Sequence, residues 1–212
     1  MEGVFAIAPI AVAASPFGVS FGVIARASGM GWSAPLVMSA TTFAGSAQFA
    51  VGSVISSGGA AAAAIAAAVM LNGRYVPIGI SVASGFEGSP VKRLVHAQML
   101  VDESWAVALR RRGGFDVRVL LGAGSLLYVA WNGGTAIGVA LGSTIGDPNR
   151  LGLDASFGAL FLALLVPQIT SGQALFAGVL GGTIALFLIP FSPAGVPIVA
   201  GAAACLVGWR DR

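Results

Sequence analysis

The sequence predicts an all-α polytopic membrane protein: about seven transmembrane helices, one short re-entrant or buried polar helix, and helices broken at mid-membrane. Charged residues make up only 9% of its 212 positions, against about 25% in a soluble domain. Apolar runs long enough to cross a bilayer recur along nearly the whole chain, at about 20 residues per helix for a hydrocarbon core about 30 Å thick. Runs such as "AAAAAIAAAVML" and "FGALFLALLV" are continuously apolar, where an outer-membrane barrel would alternate with period two.

Residues 4–25 read as a retained first span. Ala11-Val12-Ala13 resembles a cleavage site, but Glu2 stands where a signal peptide carries lysine or arginine. The further spans are 33–56, 60–83, 119–142, 156–170, 173–190 and 194–209. Residues 94–109, between the third and fourth, contain His96, Gln98, Asp102 and Glu103, and are too short and too polar to face lipid. The whole chain reads as one integral membrane domain, with 1–112 and 118–212 as candidate halves.

Basic residues set the orientation, because cytoplasmic loops carry the excess. With 94–109 re-entrant, Arg26, Lys92, Arg93, Arg110, Arg111, Arg112, Arg118, Arg210 and Arg212 share one side, and only Arg150 lies opposite, beside Asp147 and Asp154. If that segment crosses, the same residues split four against six and the bias vanishes. The N-terminus is therefore expected outside and the C-terminus in the cytoplasm.

Three consecutive spans carry interruptions: Pro16, Gly18 and Gly22 in the first; Gly45, Ser46 and Gln48 in the second; Asn72, Arg74 and Pro77 in the third. Backbone freed at membrane depth is tolerated where it is buried in protein or lines a cavity, and broken helices hold the substrate in secondary transporters. A separate row, Gly134, Gly138, Gly142 and Gly146, lines one helix face and reads as a packing surface.

Arg74 is the only basic residue inside a span. A charge there costs about 2.5–3.5 kcal/mol on the gentler insertion scale, so it needs a partner: Asp102, Glu103 or a substrate carboxylate. On one continuous helix His96 and Glu103 would share a face, as would Gln98 and Asp102. Carboxylates in low-dielectric surroundings and a histidine are the groups that pick up and release protons, so Asp102, Glu103 and His96 are candidates for proton coupling. A structural ion pair at Arg74 and a solvated interfacial helix at 94–109 are the competing readings.

Other classes lack their signatures. No basic face interleaved with aromatics marks a nucleic-acid binder. The single cysteine, Cys205, sits in the last apolar stretch and allows neither an intrachain disulfide nor a Cys/His zinc site. No GxSxG, HExxH or phosphate loop is present, and there is one histidine. No enzyme, catalytic residue, metal or cofactor is expected.

The chain resembles the AzlC family, the large subunit of branched-chain amino acid exporters. The match runs from "PFGVSFGVIARASGMGWSAPLVMSATTFAGSAQF" through "LNGRYVPIGIS" to "VDESWAVA", and less specifically to "FGALFLALLVPQI". The chain departs at Val101, where many relatives have threonine, and at Tyr75, where they have histidine. The resemblance implies export of valine, leucine or isoleucine, with methionine a further candidate, across the bacterial inner (cytoplasmic) membrane. It also implies a small AzlD-type membrane subunit as partner.

The physical reading fits such a substrate, since a zwitterion needs a counter-charge, acceptors for its ammonium and an apolar pocket. Arg74 or the amides near Gly45, Ser46 and Ala47 suit the carboxylate, and Gln48, Asn72 and the acidic pair suit the ammonium. Phe43, Phe49 and Trp105 are candidate pocket walls, with plain packing as the alternative. The expected function is secondary-active export driven by the proton gradient or by the substrate's own gradient. The alternatives are a passive channel or facilitator and a non-transporting membrane scaffold.

Overall fold

A computed structural model describes residues 2–110, 114–142, 162, 165–166, 169–192 and 196–204. Arg111, Arg112, Gly146, Asp147, Arg150, Asp154, Cys205, Arg210 and Arg212 lie outside the described residues, as do most of the span 156–170 and part of 194–209. The described secondary structure is helical: α1 (Glu2–Ala27), α2 (Ser33–Thr41), α3 (Gly45–Ser56), α4 (Ala61–Asn72), α5 (Tyr75–Val82), α6 (Pro90–Gln98), α7 (Asp102–Ala108), α8 (Val117–Leu141), α9 (Gly172–Leu188) and α10 (Val196–Ala202). Two compact units form, one from residues 1–48 and 72–146 and the other from 49–71 and 147–212.

Of the expected spans, Ile7–Ala27 is a single helix long and apolar enough to cross a membrane. Ala61–Asn72 and Tyr75–Gly85 together qualify as a second, bent by 43° at the break. The expected second span is two helices, α2 and α3, separated at Thr42, Phe43 and Ala44.

The first unit is organised by α1 lying along α8. A break was expected in α1 at Pro16, Gly18 and Gly22, but the helix is continuous through both Pro9 and Pro16. Its glycines serve close approach instead. A Cβ on Gly18 would stand 2.7 Å from the Trp131 carbonyl, and one on Gly134 2.5 Å from the Ser15 carbonyl. Gly22 and Gly138 meet α8 and α1 backbone in the same way, and Gly142 lies against the Arg26 side chain. The row on α8 therefore has its counterpart on α1, the small-xxx-small arrangement that brings two helix backbones together. Gly29, at φ +83°, then ends α1, with its N–H bonding the Arg26 carbonyl at 3.1 Å.

The segment 94–109 also differs from expectation. It is two helices, because the chain turns extended at Val101 (φ −129°, ψ 167°). Ser89 caps α6 by accepting from the Lys92 N–H at 3.4 Å, with Pro90 in its first turn. Ser104 closes the start of α7 by accepting from the Val101 N–H at 3.0 Å. His96 and Glu103 therefore do not share one helix, nor do Gln98 and Asp102, and neither α6 nor α7 is long enough to cross a bilayer. Met99, in the turn between them, packs on Gly124 of α8.

In the second unit α9 and α10 cross at Gly181 and Gly201, where a Cβ on either would come to 2.9 Å from the other's carbonyl.

Candidate functional site

The site forms in the first unit, where the start of α3, the α4–α5 turn and the start of α7 meet. Phe43 makes the first break. Its φ of +40° is left-handed, a conformation that costs a non-glycine residue of order 1–3 kcal/mol and persists only where the surroundings hold it. They do: Phe43 is buried with Ile7, Ala11, Val101, Ala123 and Leu127, and its ring meets Tyr128 edge-on at 5.0 Å.

Ending α2 early frees its last carbonyls, which take donors from other elements. The Tyr128 hydroxyl donates to the Ala40 carbonyl at 2.9 Å, and Gln98 Nε2 donates to the Ala40 and Thr41 carbonyls, both at 3.1 Å. Gln98 closes α6, so the turn between α6 and α7 sits beside the break between α2 and α3.

On the far side of both breaks lies an ion pair. Arg74 Nη2 is 2.8 Å from Asp102 Oδ2 and donates to Ser46 Oγ at 3.0 Å. Arg74 follows the end of α4, Asp102 opens α7, and Ser46 is in the first turn of α3, so three helix ends converge on one guanidinium. Both groups of the pair stay partly accessible, at 38% and 37%, which is open enough for a ligand to reach them. The Arg74 guanidinium also lies 5.2 Å from the centre of the Tyr75 ring, within range of a cation–π contact.

Two further atoms here lack partners. Arg74 Nε and Asn72 Oδ1 are buried without hydrogen bonds among the described residues. Buried polar atoms are nearly always satisfied in native proteins, so an orphan donor and an orphan acceptor two residues apart mark a place where a ligand or water bonds.

The other candidates stand elsewhere. Gly45 lies under the Trp131 ring, where a Cβ would come within 2.8 Å of it. Gln48, on a different side of α3 from Ser46, is fully buried and donates through Nε2 to Ser39 Oγ at 2.7 Å. Ser39 in turn bonds Thr135 Oγ1 at 2.9 Å, which donates to the Trp131 carbonyl at 2.9 Å. His96 packs edge-on against Phe86 at 5.7 Å and has no ion pair with either acid. Glu103 is half-buried beside Asp102, and Trp105 turns away to donate to Ser81 Oγ at 3.2 Å. Phe49 is buried and falls in the second unit.

Sequence reasoning missed Ser39, Thr135 and Tyr128. A serine or threonine in an apolar helix ordinarily bonds its own preceding turn, as Thr135 also does, so the residue type carries no signal of a cross-helix chain. Among the described residues no three His, Cys, Asp or Glu side chains gather as metal ligands.

Outside the site, Arg110 donates to Asp116, which caps α8 by accepting from the Arg118 and Val119 N–H groups at 2.9 and 3.3 Å. The Arg110 hydrogen bond, then that of Val119, holds the Asp116 carboxyl below the usual carboxylate range.

A model of the family described as AzlC protein matches residues 9–145, which include every residue of the site. An uncharacterised membrane protein of Archaeoglobus fulgidus is 33% identical over 212 residues, covering 95% of this chain and 90% of that protein. The branched-chain amino acid transport protein AzlC of Bacillus subtilis is 28% identical over 158 residues, 71% of this chain and 60% of that protein. An uncharacterised membrane protein of Haemophilus influenzae is 26% identical over 181 residues, 81% of this chain and 72% of its own length. No solved structure matches. With the family match spanning both broken helices, the ion pair and the glycine seam, this chain belongs to the AzlC family.

Proposed function

We propose that this chain is a secondary-active exporter of branched-chain amino acids in the bacterial cytoplasmic membrane, proton-coupled and working with a small AzlD-type subunit. The observation that carries the reading is the Arg74–Asp102 pair. It is a charged pair at the junction of two broken helices in a chain that is otherwise almost without charge. The name of the Bacillus subtilis relative supports the substrate class, and the names of the other two relatives support the membrane location.

In this reading the chain crosses the membrane seven times, with 94–109 re-entrant, the N-terminus outside and the C-terminus in the cytoplasm. Arg74 receives the substrate carboxylate, with Ser46 at the start of α3 beside it. Asp102 and Asn72 offer acceptors for the ammonium, and Phe43 bounds the apolar end. Asp102 and Glu103 carry the proton, and His96 is a third titrating group on the neighbouring helix.

The test is efflux of labelled valine from proteoliposomes under an imposed pH gradient, with and without the small subunit. Wild type is expected to export valine only while the gradient lasts, and Asp102→Asn or Glu103→Gln to lose that dependence. Flux indifferent to the gradient in wild type would make the protein a passive facilitator. Absence of valine flux with the small subunit present would remove the substrate assignment.

A further inference from the structure

We propose that the Arg74–Asp102 ion pair binds the amino acid as a unit, carboxylate on the guanidinium and ammonium on the free carboxylate oxygen, so that substrate and proton exclude each other at Asp102. The inference rests on the exporter reading and gives its coupling a sign.

A shared ion pair allows two opposite outcomes. In one, the substrate carboxylate displaces Asp102 from Arg74. Asp102 is then left without its counter-charge, and substrate binding draws in a proton. In the other, the pair stays intact and the zwitterion lies antiparallel along it. Substrate binding then needs the ionised carboxylate, and a protonated Asp102 gives up its proton to water as the ammonium arrives.

The geometry favours the second. The Asp102 and Ser46 contacts of Arg74 both fall on one nitrogen, Nη2, and the side chain stays partly exposed, so part of the guanidinium edge is left for a carboxylate. Asp102 engages the guanidinium through one oxygen, Oδ2, leaving Oδ1 as an acceptor. Asn72 Oδ1, two residues from Arg74, is a further buried acceptor without a partner. Donors for a carboxylate and acceptors for an ammonium are thus both present with the pair closed. Opening the pair would give the guanidinium to the substrate and leave the ammonium without a counter-charge, whereas the closed pair matches both ends of the zwitterion.

The titratable groups whose charges act on or respond to Asp102 are Arg74 and Tyr75 of the α4–α5 turn and Glu103 on α7 itself; the described residues of α1, α2, α3 and α8 contribute none. Competition of this kind makes the protein an exchanger. A proton arriving from the acidic outer side displaces the amino acid, and the site returns to the cytoplasm empty of substrate, discharges its proton and reloads. Linkage is reciprocal, so substrate must weaken proton binding by the same factor as the proton weakens substrate binding.

The test is calorimetry on the purified full chain, alone and with the small subunit, using L-valine, isobutylamine, which lacks the carboxylate, and 3-methyl-2-oxobutanoate, which lacks the ammonium. Titrations in two buffers of different ionisation heat count the protons exchanged. The expected result is valine affinity that weakens as pH falls, by up to about tenfold per pH unit, with up to about one proton released per valine. Both analogues should bind about tenfold or more weakly than valine, each having lost a charge-assisted hydrogen bond. Asp102→Asn should flatten the pH dependence and Asp102→Glu should restore it; if neither variant folds, the wild-type proton count decides alone. Proton uptake on valine binding, or an analogue binding as well as valine, overturns the exchange mechanism and leaves the exporter reading standing. Failure of valine, leucine and isoleucine to bind at any pH overturns both.

Discussion

Two regions of the first unit use interrupted-looking sequence for opposite ends. Along the α1–α8 seam, Gly18, Gly22, Gly134 and Gly138 sit in unbroken helices and leave no room between the two backbones. At the α2–α3 and α4–α5 breaks the helices stop; Gln98 and Tyr128 satisfy freed carbonyls of α2, and buried atoms of Asn72 and Arg74 at the second break remain unpaired. The seam is a closed interface that tolerates no added volume. The breaks are a polar junction where an ion pair and unpaired buried atoms stand together. On the proposed exporter reading, alternating access would use the first as a rigid body and the second as the region that re-bonds.

The sharpest way to break that contrast is to fill the seam. Gly138→Leu should abolish folded protein, since its first added carbon already meets the Val19 backbone and backbone cannot move aside as a side chain can. Gly133→Ala, with open space around its Cβ, should leave yield and melting temperature unchanged or raise stability by up to about 1 kcal/mol. Yield by size-exclusion chromatography separates the two. If Gly138→Leu folds normally, the seam is not closed.

At the junction the expected damage is to function. Arg74→Lys keeps the charge but loses the planar guanidinium, with its further N–H donors and its contact on the Tyr75 ring, so valine transport should fall about tenfold or more while folded yield stays near wild type. Unchanged transport would reduce the pair to a structural one.

A smaller effect is expected at the buried hydroxyl chain that borders both regions. Thr135→Val matches in shape and removes the bonds to Ser39 and to the Trp131 carbonyl, so it should cost about 1–3 kcal/mol of stability, read as a melting-temperature loss, with the pH profile of transport preserved. A shifted profile would connect Gln48 to the coupling after all.

The smallest is at Asp116, away from both regions. Its carboxyl is held low by Arg110 and by the α8 cap, so its contribution is complete above the unfolded carboxylate pKa of about 3.9 and is lost as pH falls through the lower folded value. Asp116→Asn should therefore melt slightly below wild type near neutral pH, and the difference should close in acid. A difference that grows in acid would reverse the sign.

How much of this was legible beforehand varies by residue. Arg74 stood out because an isolated charge in an apolar span must find a partner, and two acids were available. That Asp102 rather than Glu103 makes the 2.8 Å contact depends on where α7 begins, which Val101 decides by turning extended. Gly18 and Gly22 were misread as a break, because glycine spacing alone cannot separate a kink from a close crossing. Phe43 drew notice as a pocket wall, whereas its backbone makes the break; no local pattern announces a left-handed phenylalanine held by its surroundings.

The sequence by itself determined the helical class and the scarcity of charge that makes each ionised group conspicuous, because composition and apolar run length act locally and additively. Tertiary structure alone decided which glycines face another backbone, which carbonyls Gln98 and Tyr128 satisfy, and which acid meets the arginine. Those outcomes depend on the register between elements distant in sequence, and a shift of one residue rotates a helical side chain by about 100°, enough to exchange one partner for another.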